Sequence, residues 1–210
     1  MAEILPGVHQ VEGVDPSPDF STHVYLVKDR SDKYALIDTG LPDAPKAIEA
    51  YLAKHRISPS QVQTILLTHL HLDHVGGLRA MKALTHATVY SHWLEAAFIA
   101  KDPFKVDVAF KDGETLNVLG GAVAYHTPGH TPGHTAYHLP DRGLLFSGDL
   151  FFGVGEKLVL TTPEYTHHIP SAKVSARRVA TLKFDSLLSY HGGPILKGGL
   201  SAVRETVSRL

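Results

Sequence analysis

The amino-acid sequence predicts an α/β (α+β) chain in which two mixed sheets pack together and are covered by helices. Three observations carry that expectation. Strand-like and helix-like stretches alternate within each half of the chain, and both halves also contain meander-like strand runs, which a single doubly wound sheet does not need. No Ser/Gly linker, low-complexity segment or compositional break interrupts the 210 residues, so residues 1–210 are read as one domain.

Taken in order, "THVYLV" and "YALIDTG" read as apolar, β-branched strands joined by the polar connection "KDRSDK". "PDAPKAIEAYLAKH" reads as a helix whose apolar face is Ala47, Ile48, Tyr51 and Leu52. "ISPS" breaks it, and the nearly continuous apolar run "VQTILLTH" then reads as a strand buried on both sides. "LRAMKAL" follows as a helix, "ATVYS" as a strand and "HWLEAAFIA" as a helix. Beyond Pro103 come the strands "ETLNV", "AVAYH", "TAYHLP" and "GLLFSGD". A helix around "SAKVSARRVATL", the strand and turn "SLLSYHGGPI" and a short helix complete the chain.

Composition narrows the function. With 43% hydrophobic and 20% charged residues the sequence has the make-up of an ordinary globular protein, and a net charge of −1 gives no basic face for nucleic acid. No apolar run reaches the roughly 20 residues that span a bilayer. The opening "MAEILPGVHQVEG" lacks the n- and h-regions of a secretory signal, so a cytoplasmic location is expected. The absence of cysteine excludes disulfides, thiolate nucleophiles and thiolate ligands. Few Asn, Gln and Met residues hint at a hot habitat, against which the ordinary charge content argues. Fifteen histidines, in short clusters rather than a tract, are the informative excess.

The strongest cluster is "THLHLDHVGG", residues 68–77. His69 and His71 are two apart, so on an extended strand end their rings leave on the same side. Asp73 and His74 are adjacent and point apart. That layout suits two cations, one taken by each pair, with Gly76 and Gly77 clearing side chains where the backbone bends near a metal. Further donors end other strands: His126, His130 and His134 in "YHTPGHTPGH", Asp149 in "LLFSGDLFF" and His191 in "LLSYHGGP". Rigid sites are built in this way, from one coordinating residue at the end of each buried strand.

These motifs resemble the metallo-β-lactamase fold superfamily, marked by His-x-His-x-Asp-His followed by a later His, Asp and His. The resemblance runs from "ALIDTG" to "SYHGGP". It implies a four-layer αββα sandwich with the site along the edge where two sheets meet. It implies His69, His71 and His130 on a first metal, Asp73, His74 and His191 on a second, and Asp149 bridging both. Asp38 and His134 are then supporting residues rather than ligands. Two Zn²⁺ ions are expected, with Fe or Mn accepted by the same imidazole and carboxylate donors. The expected chemistry is attack of a shared hydroxide on an ester, thioester or lactone, with promiscuity toward phosphoesters. Asp73 is expected to act both as ligand and as proton shuttle.

Within the superfamily the sequence is similar to glyoxalase II in "TPGHT" and "GDLFFGVG" and to the lactonases. It lacks the Lys-x-Tyr and late Tyr that contact glutathione in the former. It also has Phe152 where the latter place a Tyr. Phe20, His23, Trp93, Phe98, Phe104, Phe151 and Phe152 are candidate pocket walls, with His23, Trp93 and Phe152 favoured. The expected partner is a small molecule; a homodimer is an open option. Two other readings remain: an iron-dependent redox enzyme acting on sulfur species, and a non-catalytic metal-binding module.

Overall fold

The computed structural model describes residues 3–11, 21–99, 106–154 and 157–210. Phe20 and Phe104 lie outside them. Seven strands form the first sheet in sequence order: β1 (Glu3–Leu5), β2 (Val8–Gln10), β3 (Tyr25–Lys28), β4 (Tyr34–Ile37), β5 (Val62–Leu66), β6 (Thr88–His92) and β7 (Val108–Phe110). Pairing is antiparallel from β1 to β4 and parallel from β4 to β7. The parallel steps are where helices must cross over, and α1 (Ala44–Lys54), α2 (Leu72–Val75), α3 (Leu78–Thr85) and α4 (Trp93–Ile99) fall there.

The second sheet is built from β8 (Glu114–Leu116), β9 (Ala122–His126), β10 (Thr135–Leu139) and β11 (Leu144–Gly148). A short hairpin, β12 (Phe151–Val154) with β13 (Lys157–Leu160), stands apart from both sheets. After α5 (Ile169–Val179) the chain returns as β14 (Ser186–Ser189), parallel to β11, and ends in α6 (Gly199–Ser208). The second sheet therefore has the order β14-β11-β10-β9-β8.

Strand alternation separates the layers. On β3 and β4, Leu26 and Leu36 face a core shared with Ile48, Tyr51 and Leu52 of α1 and Met81 of α3. Their neighbours Tyr25, Val27 and Ile37 face the opposite way, against Tyr137, Phe146 and Leu188 of the second sheet. The far side of that sheet, with Ala136, Leu145 and Leu187, packs on Ala172, Ala176 and Val179 of α5 and Val203 of α6. Three cores between four layers give the αββα sandwich.

Buried phenols tie the two sheets together at one edge. Tyr25 donates to the Ser189 carbonyl across the interface (2.7 Å), and Tyr137 donates in the other direction to the Leu67 carbonyl (2.6 Å). The Thr135 N–H donates to the Thr68 carbonyl beside them (2.9 Å). Each hydroxyl finds its acceptor where a strand has just ended, so the satisfied polar groups fix the relative height of the sheets at that edge.

Several elements differ from the sequence reading. Strands β1, β2, β7, β12 and β13 have only three or four residues each, too short for a period-2 pattern to register. Strand β5 stops at Leu66 rather than running to His69. The reason is local: the Thr68 N–H is taken by the Asp38 carboxylate (2.8 Å) instead of a neighbouring strand. Gly76 and Gly77 stand, as expected, where the backbone bends from α2 into α3, and they pack closely on the segment that follows β4. A Cβ on Gly76 would lie 2.6 Å from Pro42 Cδ, and one on Gly77 2.9 Å from Pro45 Cγ. These glycines admit the Pro42–Pro45 segment.

Candidate metal centre

The edge joined by the two tyrosines is also where β4, β5, β9, β11 and β14 run out, and the side chains that follow them converge. Three overlapping groups have ligand atoms within 4.8 Å of one another: His69, His71 and His130; His69, His74 and Asp149; and Asp73, His74 and His191. His71 Nδ1 lies 3.0 Å from His69 Nε2 and 2.9 Å from His130 Nε2. Asp149 stands between the groups, with Oδ1 3.2 Å from His74 Nε2, and Oδ2 3.3 Å from both His130 Nε2 and His191 Nε2. Asp73 Oδ2 is 3.3 Å from His191 Nε2 and 3.6 Å from His74 Nε2.

The outer ring nitrogens are held so that the inner ones aim at this centre. His74 Nδ1 donates to Asp38 Oδ2 (2.9 Å) and His191 Nδ1 to the Ser21 carbonyl (2.8 Å). Thr68 Oγ1 donates to Asp38 Oδ2 (2.8 Å), which leaves its lone pairs to accept from His69 Nδ1 at 3.1 Å. His130 Nδ1 is 3.1 Å from Thr161 Oγ1. Asp38 is buried and sits at φ 62°, a left-handed conformation that Asp tolerates better than most residues. In that conformation its carboxylate serves both Thr68 and His74.

The donor chemistry fits a divalent metal. His74 Nε2 and Asp149 Oδ1 are buried, 3.2 Å apart, and neither has a hydrogen-bond partner among the described residues. Buried polar atoms are rarely left so; both point into a common space that a cation would satisfy. Imidazole and carboxylate donors without sulfur accept zinc, iron or manganese alike.

Electrostatics divide the cluster. Burial lowers His69 well below the ordinary histidine value, lowers His71, and brings His130 down to about 4. Burial acts on His74 too, but the Asp149 and Asp38 carboxylates overcome it and push His74 up to about 10. His191 rises to about 9 against its own burial because it bonds Asp149 and Asp73. Asp149, whose burial alone would raise it, is held well below the carboxylate range by His74 and the other imidazoles. A field that favours a proton at this place also favours a metal cation.

The family model of the metallo-beta-lactamase superfamily matches residues 17–191. The chain belongs to that superfamily. Hydroxyacylglutathione hydrolase of Pseudomonas aeruginosa (strain LESB58) is 41% identical over 160 residues, 74% of this chain and 58% of the relative. Thioesterase pkgB of Emericella nidulans is 34% identical over 195 residues, 91% of this chain and 49% of the relative. The chain thus spans less than two thirds of the length of either. Among solved structures, a metallo-beta-lactamase family protein of Thermus thermophilus aligns with TM-score 0.74 and 27% identity, over 99% of this chain and 80% of that one. A Cronobacter sakazakii metallo-beta-lactamase aligns with TM-score 0.78 and 23% identity, over 100% and 91%; it shares the fold.

A cavity of about 870 Å³ opens onto the His/Asp cluster. His71, Asp73, His130, Asp149 and His191 form its floor, and Leu70, Phe98, Pro132, Phe152 and Tyr165 are among its walls. Phe151 and Phe152 part company: Phe151 is fully buried in the core under α5, whereas Phe152 lines the cavity with its ring 5.2 Å from that of His191. Trp93 and His23 are not among the lining residues. Trp93 is half-exposed at the start of α4, beside His92. His23 turns toward Gln10, 2.7 Å from its Nε2.

His134 stands behind the cluster. The Asp149 N–H donates to His134 Nε2 (3.0 Å), so Nδ1 carries the proton that goes to Thr127 Oγ1 (2.8 Å). With Nε2 turned to the backbone, its only inward nitrogen is already used.

Sequence reasoning missed Tyr190, Thr161 and Glu95. Tyr190 stacks on His74 with ring centroids 3.7 Å apart and donates to the Asp73 carbonyl. Its position beside His191 was the available signal. Thr161 and Glu95 lie far from any ligand in sequence and carried none.

Proposed function

We propose that the chain is a metal-dependent hydrolase of thioesters, with esters and lactones as further substrates. It would hold two zinc ions, with iron or manganese able to take their place. The observation that supports this reading best is the convergence of His69, His71, His130, Asp73, His74, His191 and Asp149, with two buried donor atoms lacking any other partner among the described residues. His69, His71 and His130 would hold one ion, Asp73, His74 and His191 the other, and Asp149 would lie between. When bound, such ions supply Lewis acidity toward a carbonyl oxygen and a water acidic enough to ionise near neutral pH. Asp73, the most open of the acidic donors with its side chain 23% exposed, faces the cavity and would relay a proton between attacking water and leaving group. Phe152, Phe98 and Leu70 would shield the acyl carbon from bulk water and receive an apolar acyl group.

The names of the relatives favour a thioester. Metal analysis followed by a panel of acylglutathione, acyl-CoA, lactone, aryl ester and phosphoester substrates tests the reading. Close to two metal equivalents and turnover of at least one thioester, abolished by chelation, are expected. Full turnover by the metal-stripped protein overturns the reading.

A further inference from the structure

Glu95 is a carboxylate in the first turn of α4, 1% exposed, that does not line the cavity and lies close enough to His71 for its charge to act on that ring. Three neutral donors fill it: Thr131 Oγ1 (2.7 Å) and the Gly133 N–H (2.6 Å) on Oε1, and the Leu70 N–H (3.1 Å) on Oε2. Leu70 lies between His69 and His71, and Thr131 follows His130. The approach is close enough to dictate sequence, since a Cβ on Gly133 would lie 2.7 Å from Glu95 Cγ and 2.9 Å from its backbone nitrogen. One buried anion therefore clamps the two loops that carry His69, His71 and His130. Asp73, His74 and His191 are supported instead by Tyr190, Asp38 and Ser21 respectively, Asp38 also reaching His69 through Thr68. Among the described residues none of these three supports is hydrogen-bonded to His71 or to the His130 loop.

The geometry points to Glu95 as the positioning residue for the His69–His71–His130 half of the centre, setting the affinity of one metal ion and not the other. This inference rests on the two-ion reading above. A Gln at this position keeps the shape but turns an NH₂ toward a backbone N–H. That leaves a buried donor unpaired and lets one loop move away from the other.

The test is Co²⁺ titration with chelator competition on wild type, Glu95→Gln, His130→Ala and the double variant, with unfolding of each metal-free protein measured alongside. Expected is an ion weakened by about ten- to a hundredfold in Glu95→Gln, as supporting residues typically give, with the second ion unchanged. In the His130→Ala background, Glu95→Gln should have no further effect on the ion that remains. Should Glu95→Gln fail to fold, Thr131→Val removes one of the three donors and must weaken the same ion. Equal weakening of both ions, or a lower unfolding temperature with both affinities unchanged, overturns the inference. Wild type that takes up no ion overturns the two-ion reading and the inference together. If it takes up one, the two-ion reading falls, and Glu95→Gln must weaken that ion for the inference to stand.

Discussion

Among the described residues, two clusters of histidines at strand ends of the sheets invite comparison, and the first but not the second has the chemistry of a metal centre. His69, His71, His74, His130 and His191 surround Asp149 and Asp73. His92 and His126, at the ends of β6 and β9, stack face to face at 4.2 Å and 9°. Asp112, which accepts the His126 backbone N–H (2.9 Å), is committed to Arg178 as well (2.9 Å). Burial and then His126 bring His92 down to about 4, and its Nδ1 has no hydrogen-bond partner among the described residues. Two imidazoles crowded together here stack, and the buried one, His92, resists a proton. A carboxylate placed among them turns the same residues toward a cation.

Removing that carboxylate is the strongest way to break the contrast. Asp149→Ala should release metal and lower the proposed thioesterase activity by about a thousandfold or more, since the charge stabilisation lost is several kcal/mol; metal content and kcat/KM on one protein sample check it. Asp38→Asn should be milder. Asn tolerates the left-handed backbone but cannot accept from Thr68 and His74 as a carboxylate does, so the ion beside His74 should weaken by about ten- to a hundredfold, read by chelator competition.

His134→Ala sharpens the distinction between ligand and support. It leaves the buried Asp149 N–H unsatisfied, worth about 1–3 kcal/mol of stability, and should leave both ions in place. His130→Ala should lose an ion. Denaturant unfolding and metal counts on the pair decide it, and the reverse pattern would show that the two TPGH copies had been assigned the wrong way round.

The smallest effect concerns the other cluster. The His92 value lies at about 4 in the fold against an ordinary 6.5. The unfolded chain therefore binds a proton, as pH falls through 6.5, that the folded chain refuses until about 4. Stability is present in full above 6.5 and declines below it. His92→Phe should make the fall in unfolding temperature of the metal-loaded protein between about pH 7 and about pH 5 shallower.

What the sequence made legible follows from distance along the chain. "THLHLDH" places four side chains of the centre within six residues, Asp149 directly follows strand β11 and His191 comes one residue after the end of β14, so local pattern and family resemblance point to them. Strand termini were less legible, because β5 ends where Asp38, far back in sequence, captures the Thr68 N–H. Pocket walls were less legible still. Phe152 could be paired against Phe151 by strand alternation, but Trp93 and His23 have no periodic partner to say which way they face. Glu95 lay beyond reach altogether: its three donors are 25, 36 and 38 residues away, and nothing in "HWLEAAFIA" distinguishes it from a solvated helix charge.

Helix α4 contributes Phe98 to the cavity wall and, three residues earlier, Glu95 to the clamp behind the cluster. On the role proposed for Glu95, any remodelling of that wall by shifting the helix is expected to change metal retention. Broadening the substrate range through α4 and keeping the ions bound are therefore competing demands, whereas the Phe152 side of the cavity can vary without disturbing Glu95.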